Sequence, residues 1–208
     1  MSYSPKLVIL DVDGTLTGVS SPWRHVHEYL GVWDSAGEAI ARRWLSGEID
    51  YDTFCELDLE LWRQNQADYA TVSRVLDAIP ILPQAIDVLR TLQGQGVAIA
   101  LISTGFERIA SRISRDAGLD DTIRIIANRL YPGADGFARA EIVVSNDAGS
   151  GRSKGDHARM LCRELGISTA QCFGVGDGPS DRHLFEACGQ HLLVKHGDDL
   201  FKIAGFFS

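Results

Sequence analysis

The chain has 208 residues, 45% of them hydrophobic and 23% charged, which is enough apolar material for a real core and excludes a disordered or fibrous chain. Its 28 Asp and Glu outnumber 20 Lys and Arg, and the net charge of -8, without any basic run, excludes a phosphate-backbone partner: no nucleic acid is expected. The four cysteines, Cys55, Cys162, Cys172 and Cys188, are too scattered for a disulfide framework and contain no C-x-x-C pair for zinc, so they read as reduced, mostly buried thiols.

Met1 to Lys6 is polar, and the apolar run that follows is far too short for a signal peptide or a membrane span, so a cytoplasmic location and no membrane partner are expected. Residues 6–10 read as a strand buried on both faces, ending at Asp11. From Ser21 to Ala78 the spacing of apolar residues is helical, and it predicts helices over 23–30, 36–45, 51–62 and 69–78, broken at Gly31, at Ser46-Gly47 and near Asn65. A block of about sixty residues is too long for a loop in a compact domain and reads as a helical insert.

Ile79-Pro80-Ile81-Leu82-Pro83 is a stiff extended connector back to the main domain, because each Pro disfavours helix in the residue before it. Thereafter helix 84–92, strand 97–103, helix 107–117 and strand 123–127 alternate. A hairpin turn at 132–136 is expected to lead to a strand at 142–145. Helix 154–165, strand 172–175, helix 181–188 and strand 192–195 complete the set. The expected fold is α/β: a Rossmann-like open parallel sheet core from residues 1–17 and 80–208, with an inserted small α-helical cap over 18–79.

Chemistry-bearing residues cluster where strands end. Asp11 and Asp13 follow a buried strand and precede Gly14-Thr15, at the carboxyl edge where open α/β sheets place their ligands. Gly14 permits a sharp bend there and Thr15 can hydrogen-bond it. In Leu101-Ile102-Ser103-Thr104-Gly105 a second strand empties into a polar turn, whose hydroxyl and amides suit an oxyanion or, equally, a helix cap. Lys154 opens a helix after Gly149-Ser150-Gly151-Arg152-Ser153. A third strand ends in the acidic turn Gly174-Val175-Gly176-Asp177-Gly178-Pro179-Ser180-Asp181. Each feature alone also reads as a solvated turn or a cap. Their conjunction on one sheet edge points to a site.

In this order, Asp11-Val12-Asp13-Gly14-Thr15, Ser103, Lys154 and Gly176-Asp177-Gly178-Pro179-Ser180-Asp181 resemble the four motifs of the haloacid-dehalogenase-like hydrolases. The likeness is closest to the phosphoserine-phosphatase-like branch and extends through Ser103-Thr104-Gly105-Phe106, Ala127-Asn128-Arg129-Leu130 and the helical insert. It implies a phosphatase in which Asp11 is the nucleophile and forms an aspartyl-phosphate, while Asp13 protonates the leaving oxygen and then activates water. It implies Mg2+ held by Asp11, the backbone carbonyl of Asp13 and Asp177, with Asp181 orienting that shell. Ser103, the Thr104 amide and Lys154 are implied to bind the phosphoryl group, Lys154 also neutralising charge at the nucleophile.

Phosphoserine-specific members place an acidic residue in the cap for the substrate ammonium, an Arg for its carboxylate and an Asn in the last motif. These positions fall at Ser20, Asp58 and Ser180. The expected substrate is therefore a small-molecule phosphomonoester such as a sugar, polyol or amino-alcohol phosphate, and not phosphoserine. Ser20, Trp23, Arg24 and His27 are the candidates to line its pocket, although the face shared by Trp23 and His27 reads equally as cap core. Arg42, Arg43 and Trp44 rank after them, and Trp62 reads as core. The alternatives are a phosphotransferase using the same intermediate and a catalytically silent binding or regulatory protein of this fold. Either a monomer or a homodimer is compatible with the sequence.

Overall fold

The computed structural model describes residues 5–147 and 149–206; the first four residues and the last two of the expected core segments lie outside them, as does Ala148. The centre of the molecule is β1 (Leu7–Leu10), all four of whose residues are buried. Around it stand β2 (Ala98–Phe106), β3 (Arg124–Pro132), β4 (Ala138–Glu141), β5 (Cys172–Gly176) and β6 (Gln190–Leu193), in the order β4-β3-β2-β1-β5-β6. Every neighbouring pair is parallel except β3 with β4. The chain moves outward from β1 to β3 on one side and then returns to β5 and β6 on the other. The carboxyl ends of β1, β2 and β5 therefore flank the switch point of an open α/β sheet, where a crevice forms.

Alternation along β1 divides the core into two layers. Leu7 and Ile9 pack with Ala158 and Leu161 of α7 (Lys154–Glu164) and Leu184 of α8 (Arg182–Ala187). Val8 and Leu10 join the opposite layer, with Leu89 of α5 (Pro83–Gly94) and Ile109 and Ile113 of α6 (Glu107–Ala117). A 3₁₀ segment at Gly197–Phe206, absent from the sequence reading, buries Leu200 and Ile203 in that same layer.

The segment between β1 and β2 holds α1 (Pro22–Tyr29), one π-helical turn (Trp33–Gly37), α2 (Glu38–Leu45), α3 (Tyr51–Gln64) and α4 (Tyr69–Asp77). Ser21, Asp50 and Asp68 cap α1, α3 and α4, each side chain accepting from the backbone N–H three residues on. Trp23, Phe54, Trp62 and Phe106 form an aromatic seam between these helices and the sheet, with the Trp23 and Trp62 rings stacked at 5.3 Å. At the neck, Thr17 bridges Ile81, the Gly18 N–H donates to Pro80 O at 2.9 Å and the Leu82 N–H to Leu16 O at 3.0 Å.

Two strands stand elsewhere than their sequence pattern predicts. The strand expected over 142–145 is displaced to Ala138–Glu141, because Asn128 Oδ1 accepts the N–H groups of Val143 (2.8 Å) and Val144 (2.9 Å) and removes them from any ladder. The strand expected over 192–195 runs at Gln190–Leu193, since the amides of Lys195 and His196 donate to Asp199 Oδ2. Cys55, Cys162 and Cys172 are buried and Cys188 is half-buried. No helix among the described residues is long and apolar enough to cross a membrane.

Candidate active site

The chain leaves β1 at Asp11, whose N–H still donates to Val175 O at 2.9 Å, and turns back at Gly14 with φ +82°. A Cβ at Gly14 would stand 2.2 Å from Asp177 Oδ2, so only glycine lets the loop after β5 close on the loop after β1. Asp11 is 3% exposed. Its Oδ2 accepts from Thr15 Oγ1 at 3.0 Å and its Oδ1 accepts a short hydrogen bond from Lys154 Nζ. Lys154 Nζ also donates to Asp181 Oδ1 at 2.6 Å, and Asp181 Oδ2 accepts the amides of Asp177 (3.0 Å) and Gly178 (3.3 Å).

Lys154 reaches this point because it is the first residue of α7, held by a capping box. Ser153 Oγ accepts from Asp156 N at 3.2 Å, while Asp156 Oδ2 accepts from Ser153 N at 3.0 Å. Burial penalises the ammonium, but Asp11 and Asp181 on either side hold it protonated, above the ordinary lysine value. Burial likewise pushes the Asp11 carboxyl up, with Lys154 pulling against it and Asp181 and Asp13 adding to the rise.

From β2, Ser103 Oγ donates to Asp13 Oδ2 at 2.5 Å and accepts the Gly105 N–H at 2.7 Å. A Cβ at Gly105 would lie 2.3 Å from Asp13 Oδ2, which excludes any larger residue there. Burial raises the Asp13 carboxyl to about 6, and the Ser103 hydrogen bond partly offsets it. Asp13 Oδ1 is buried without a hydrogen-bond partner among the described residues. Asp11, Asp177 and Asp181 each bring a carboxylate oxygen within 4.8 Å of the others. Burial and then the neighbouring Asp181 raise the Asp177 carboxyl. Such a concentration of hard oxygen donors fits a small divalent cation, which would relieve the repulsion. Both oxygens of Asp181 are already engaged, which suits it to holding the others in place.

The four candidates from the helical segment between β1 and β2 fall in different places. The Ser20 Cα lies 3.2 Å from the Cβ position of Gly14, at the rim of the site next to Asp177. Trp23 is buried, and its Nε1 donates to the Thr104 carbonyl at 3.3 Å. Arg24 is exposed, paired with Glu28 at 2.7 Å and stacked over Trp33. His27 is 1% exposed inside the cap, where Nδ1 accepts from Trp62 Nε1 at 3.3 Å and Nε2 stands 2.9 Å from Asp58 Oδ1. Arg42 and Arg43 are spent on exposed pairs with Glu38 and Glu48.

Two contributors had no individual signal in the sequence. The Tyr51 hydroxyl (2.8 Å) and Asn128 Nδ2 (2.7 Å) both donate to the Thr104 carbonyl. Asn128 stands in the run Ala127-Asn128-Arg129-Leu130, but only its position in space reveals what it binds. A cavity of about 660 Å³ lies away from these residues, among α4, α6 and β3; its Arg108 and Arg129 are paired with Asp77, Glu107 and Glu141.

The haloacid dehalogenase-like hydrolase family model matches residues 5–189. The chain is 24% identical over 189 residues to phosphoserine phosphatase of Vibrio cholerae, covering 89% of this chain and 53% of that protein. It is 26% identical over 210 residues to phosphoserine phosphatase of Idiomarina loihiensis, covering 99% and 89%. The first curated relatives are matched over 53%, 42% and 55% of their length, so the chain spans about half of them. A solved phosphoserine phosphatase bearing a phospho-aspartyl intermediate analogue shares the fold, with a TM-score of 0.73 at 21% identity over 96% of this chain and 90% of that one. With four motifs meeting at one sheet edge and this match, the chain belongs to the haloacid dehalogenase-like hydrolases. Within that family its matches lie in the phosphoserine-phosphatase-like branch.

Proposed function

We propose that the chain is a Mg2+-dependent phosphatase of a small phosphorylated metabolite, working through an aspartyl-phosphate on Asp11, with residues 18–79 as the cap over the site. The observation that carries this reading is the placement of Lys154 Nζ between Asp11 and Asp181, beside a buried Asp13 with one oxygen free. Lys154 lowers the electrostatic cost of bringing a phosphate dianion to a carboxylate nucleophile. The Asp11 oxygen attacks phosphorus, and the bond to the leaving oxygen breaks as Asp13 supplies its proton. Asp13, then ionised, takes a proton from the water that cleaves the acyl phosphate. An acid raised to about 6 by burial is suited to both halves. Ser103 and the Thr104 amide are the donors this reading assigns to equatorial phosphoryl oxygens, the Ser103 hydroxyl turning from Asp13 to the phosphate.

Asp11, the Asp13 carbonyl and Asp177 would hold Mg2+, which when bound neutralises phosphoryl charge and orients the phosphate for in-line attack. Asp181 would keep that set in position. The buried site suits a small substrate enclosed away from bulk water.

Phosphoserine is disfavoured as the substrate, although the curated relatives quoted above carry that name. Ser20, at the rim, has no charge for an ammonium group. Asp58 is a carboxylate where a cation would be needed, and it is buried against His27 inside the cap. Purified protein is expected to release phosphate from an aryl phosphate in Mg2+ and to stop with chelator, and Asp11→Asn is expected to abolish turnover, since an amide cannot form the acyl phosphate. Activity surviving in that variant removes Asp11 from its role. In a panel of phosphorylated metabolites, phosphoserine as the substrate with the highest kcat/KM would overturn the specificity reading.

A further inference from the structure

One backbone oxygen, that of Thr104, receives three donors from three elements. Trp23 Nε1 comes from α1 at 3.3 Å, the Tyr51 hydroxyl from α3 at 2.8 Å and Asn128 Nδ2 from β3 at 2.7 Å. This peptide group lies where β2 loses register with β3, between Ser103 and Phe106, so regular sheet pairing does not set its direction. In a planar trans peptide the C=O and the following N–H point opposite ways. Holding Thr104 O therefore aims the Gly105 N–H, which donates to Ser103 Oγ, which in turn donates to Asp13 Oδ2. A continuous line of hydrogen bonds runs from the cap helices to Asp13.

The donors differ in what fixes them. Asn128 belongs to the core, and its Oδ1 is anchored by Val143 N and Val144 N. Tyr51 and Trp23 belong to the cap segment. The first turn of α3, which carries Tyr51, also engages the segment leading to Lys154: Tyr51 N donates to Asp147 Oδ2 at 2.7 Å and Asp52 pairs with Arg152 at 2.7 Å. Tyr51 is 2% exposed, and burial pushes its phenol well above the ordinary value, so it remains a donor. Asp11 and Lys154 are almost wholly covered, and a separation of the helical insert from the sheet that admitted substrate would withdraw Tyr51 and Trp23 from Thr104.

We propose that Tyr51 is a positioning residue that couples cap closure to assembly of the site, by locking the Thr104–Gly105 peptide so that Ser103 is presented to Asp13. This rests on the phosphatase reading above. In the open state Asn128 alone holds the carbonyl, and the turn can reorient.

The test is a double-mutant cycle between Tyr51→Phe and Ser103→Ala, followed by kcat and KM for an aryl phosphate in Mg2+, with thermal melts to confirm folding. Losing one such hydrogen bond is expected to lower kcat about five- to tenfold with KM little changed. Because Tyr51 acts through Ser103, its substitution is expected to cost less than about twofold in the Ser103→Ala background. Tyr69→Phe, which removes a cap hydroxyl outside this line, is expected to leave kcat unchanged. Equal losses in both backgrounds, or an unaltered kcat in Tyr51→Phe, would overturn the proposal. The same cycle run on unfolding free energy in urea separates the two ideas. A wild-type chain that hydrolyses nothing defeats the phosphatase reading, whereas non-additive unfolding free energies still support the coupling and additive ones defeat it.

Discussion

Core and cap each bury a cluster of ionisable side chains, and the two clusters are built in opposite ways. In the core, four carboxylates (Asp11, Asp13, Asp177 and Asp181) face one ammonium, Lys154, leaving a surplus of negative charge at the carboxyl edge of the sheet. Backbone amides, hydroxyls and Lys154 hold these carboxylates in place, and Asp13 Oδ1 stays free. In the cap, a single carboxylate, Asp58, stands 2.9 Å from the His27 imidazole among aromatic rings, but the contact is out of line for a hydrogen bond, and Asp58 Oδ2 has no partner among the described residues. A surplus at strand ends invites a cation and a phosphoryl group. A single carboxylate shut inside a helix bundle by an imidazole and aromatic rings offers no such cluster of donors. Burial of ionisable groups alone thus does not distinguish the two; the crowding of carboxylates at the switch point does.

The strongest way to break this contrast is Lys154→Met, which leaves Asp11 and Asp181 buried without their shared cation. Stability in urea is expected to fall by about 3–5 kcal/mol, with loss of turnover. An unchanged unfolding free energy would show that the core cluster is not held by its lysine.

For the cap, the matching experiment replaces both partners, His27→Leu with Asp58→Leu. Removing the poorly aligned pair relieves a buried carboxylate but leaves the buried Trp62 Nε1–H without its acceptor, so stability is expected to stay within about 2 kcal/mol of wild type, with kcat/KM on an aryl phosphate within about twofold. A tenfold or larger loss of activity in that variant would place His27 in the substrate pocket after all.

The smallest effect is in pH dependence. Burial holds the Asp58 carboxyl above its ordinary value, with the His27 contact pulling the other way. The folded chain then binds this proton more tightly than the unfolded chain. The stability it contributes is complete below the ordinary carboxylate range and is lost as pH rises through the raised value. Melting temperatures of wild type and Asp58→Asn, compared from about pH 4 to pH 8, are expected to shift in favour of the variant as pH rises. A constant difference would mean that Asp58 ionises as freely folded as unfolded.

Much of the core's chemistry was legible because it is local. Asp11, Asp13, Gly14 and Thr15 lie within one turn after a uniformly apolar strand, and Ser153 with Asp156 signals a helix start at Lys154. The cap was legible only as helices. Its periodicity marked Trp23 and His27 as one face, but whether that face met substrate or core depended on Trp62 and Asp58, more than thirty residues away. The strand expected over 142–145 failed for a similar reason: a distant side chain, Asn128, took its amides.

By itself the amino-acid sequence determined the α/β class, the helical insert and the order of the acidic, hydroxyl and lysine motifs, because apolar period and turn chemistry act over a few residues. Only the tertiary structure decided which buried carboxylates crowd together and which stands apart, and that Tyr51, Trp23 and Asn128 converge on Thr104. Those contacts span 24 to 81 residues of sequence. Their geometry depends on packing directions that no local pattern encodes.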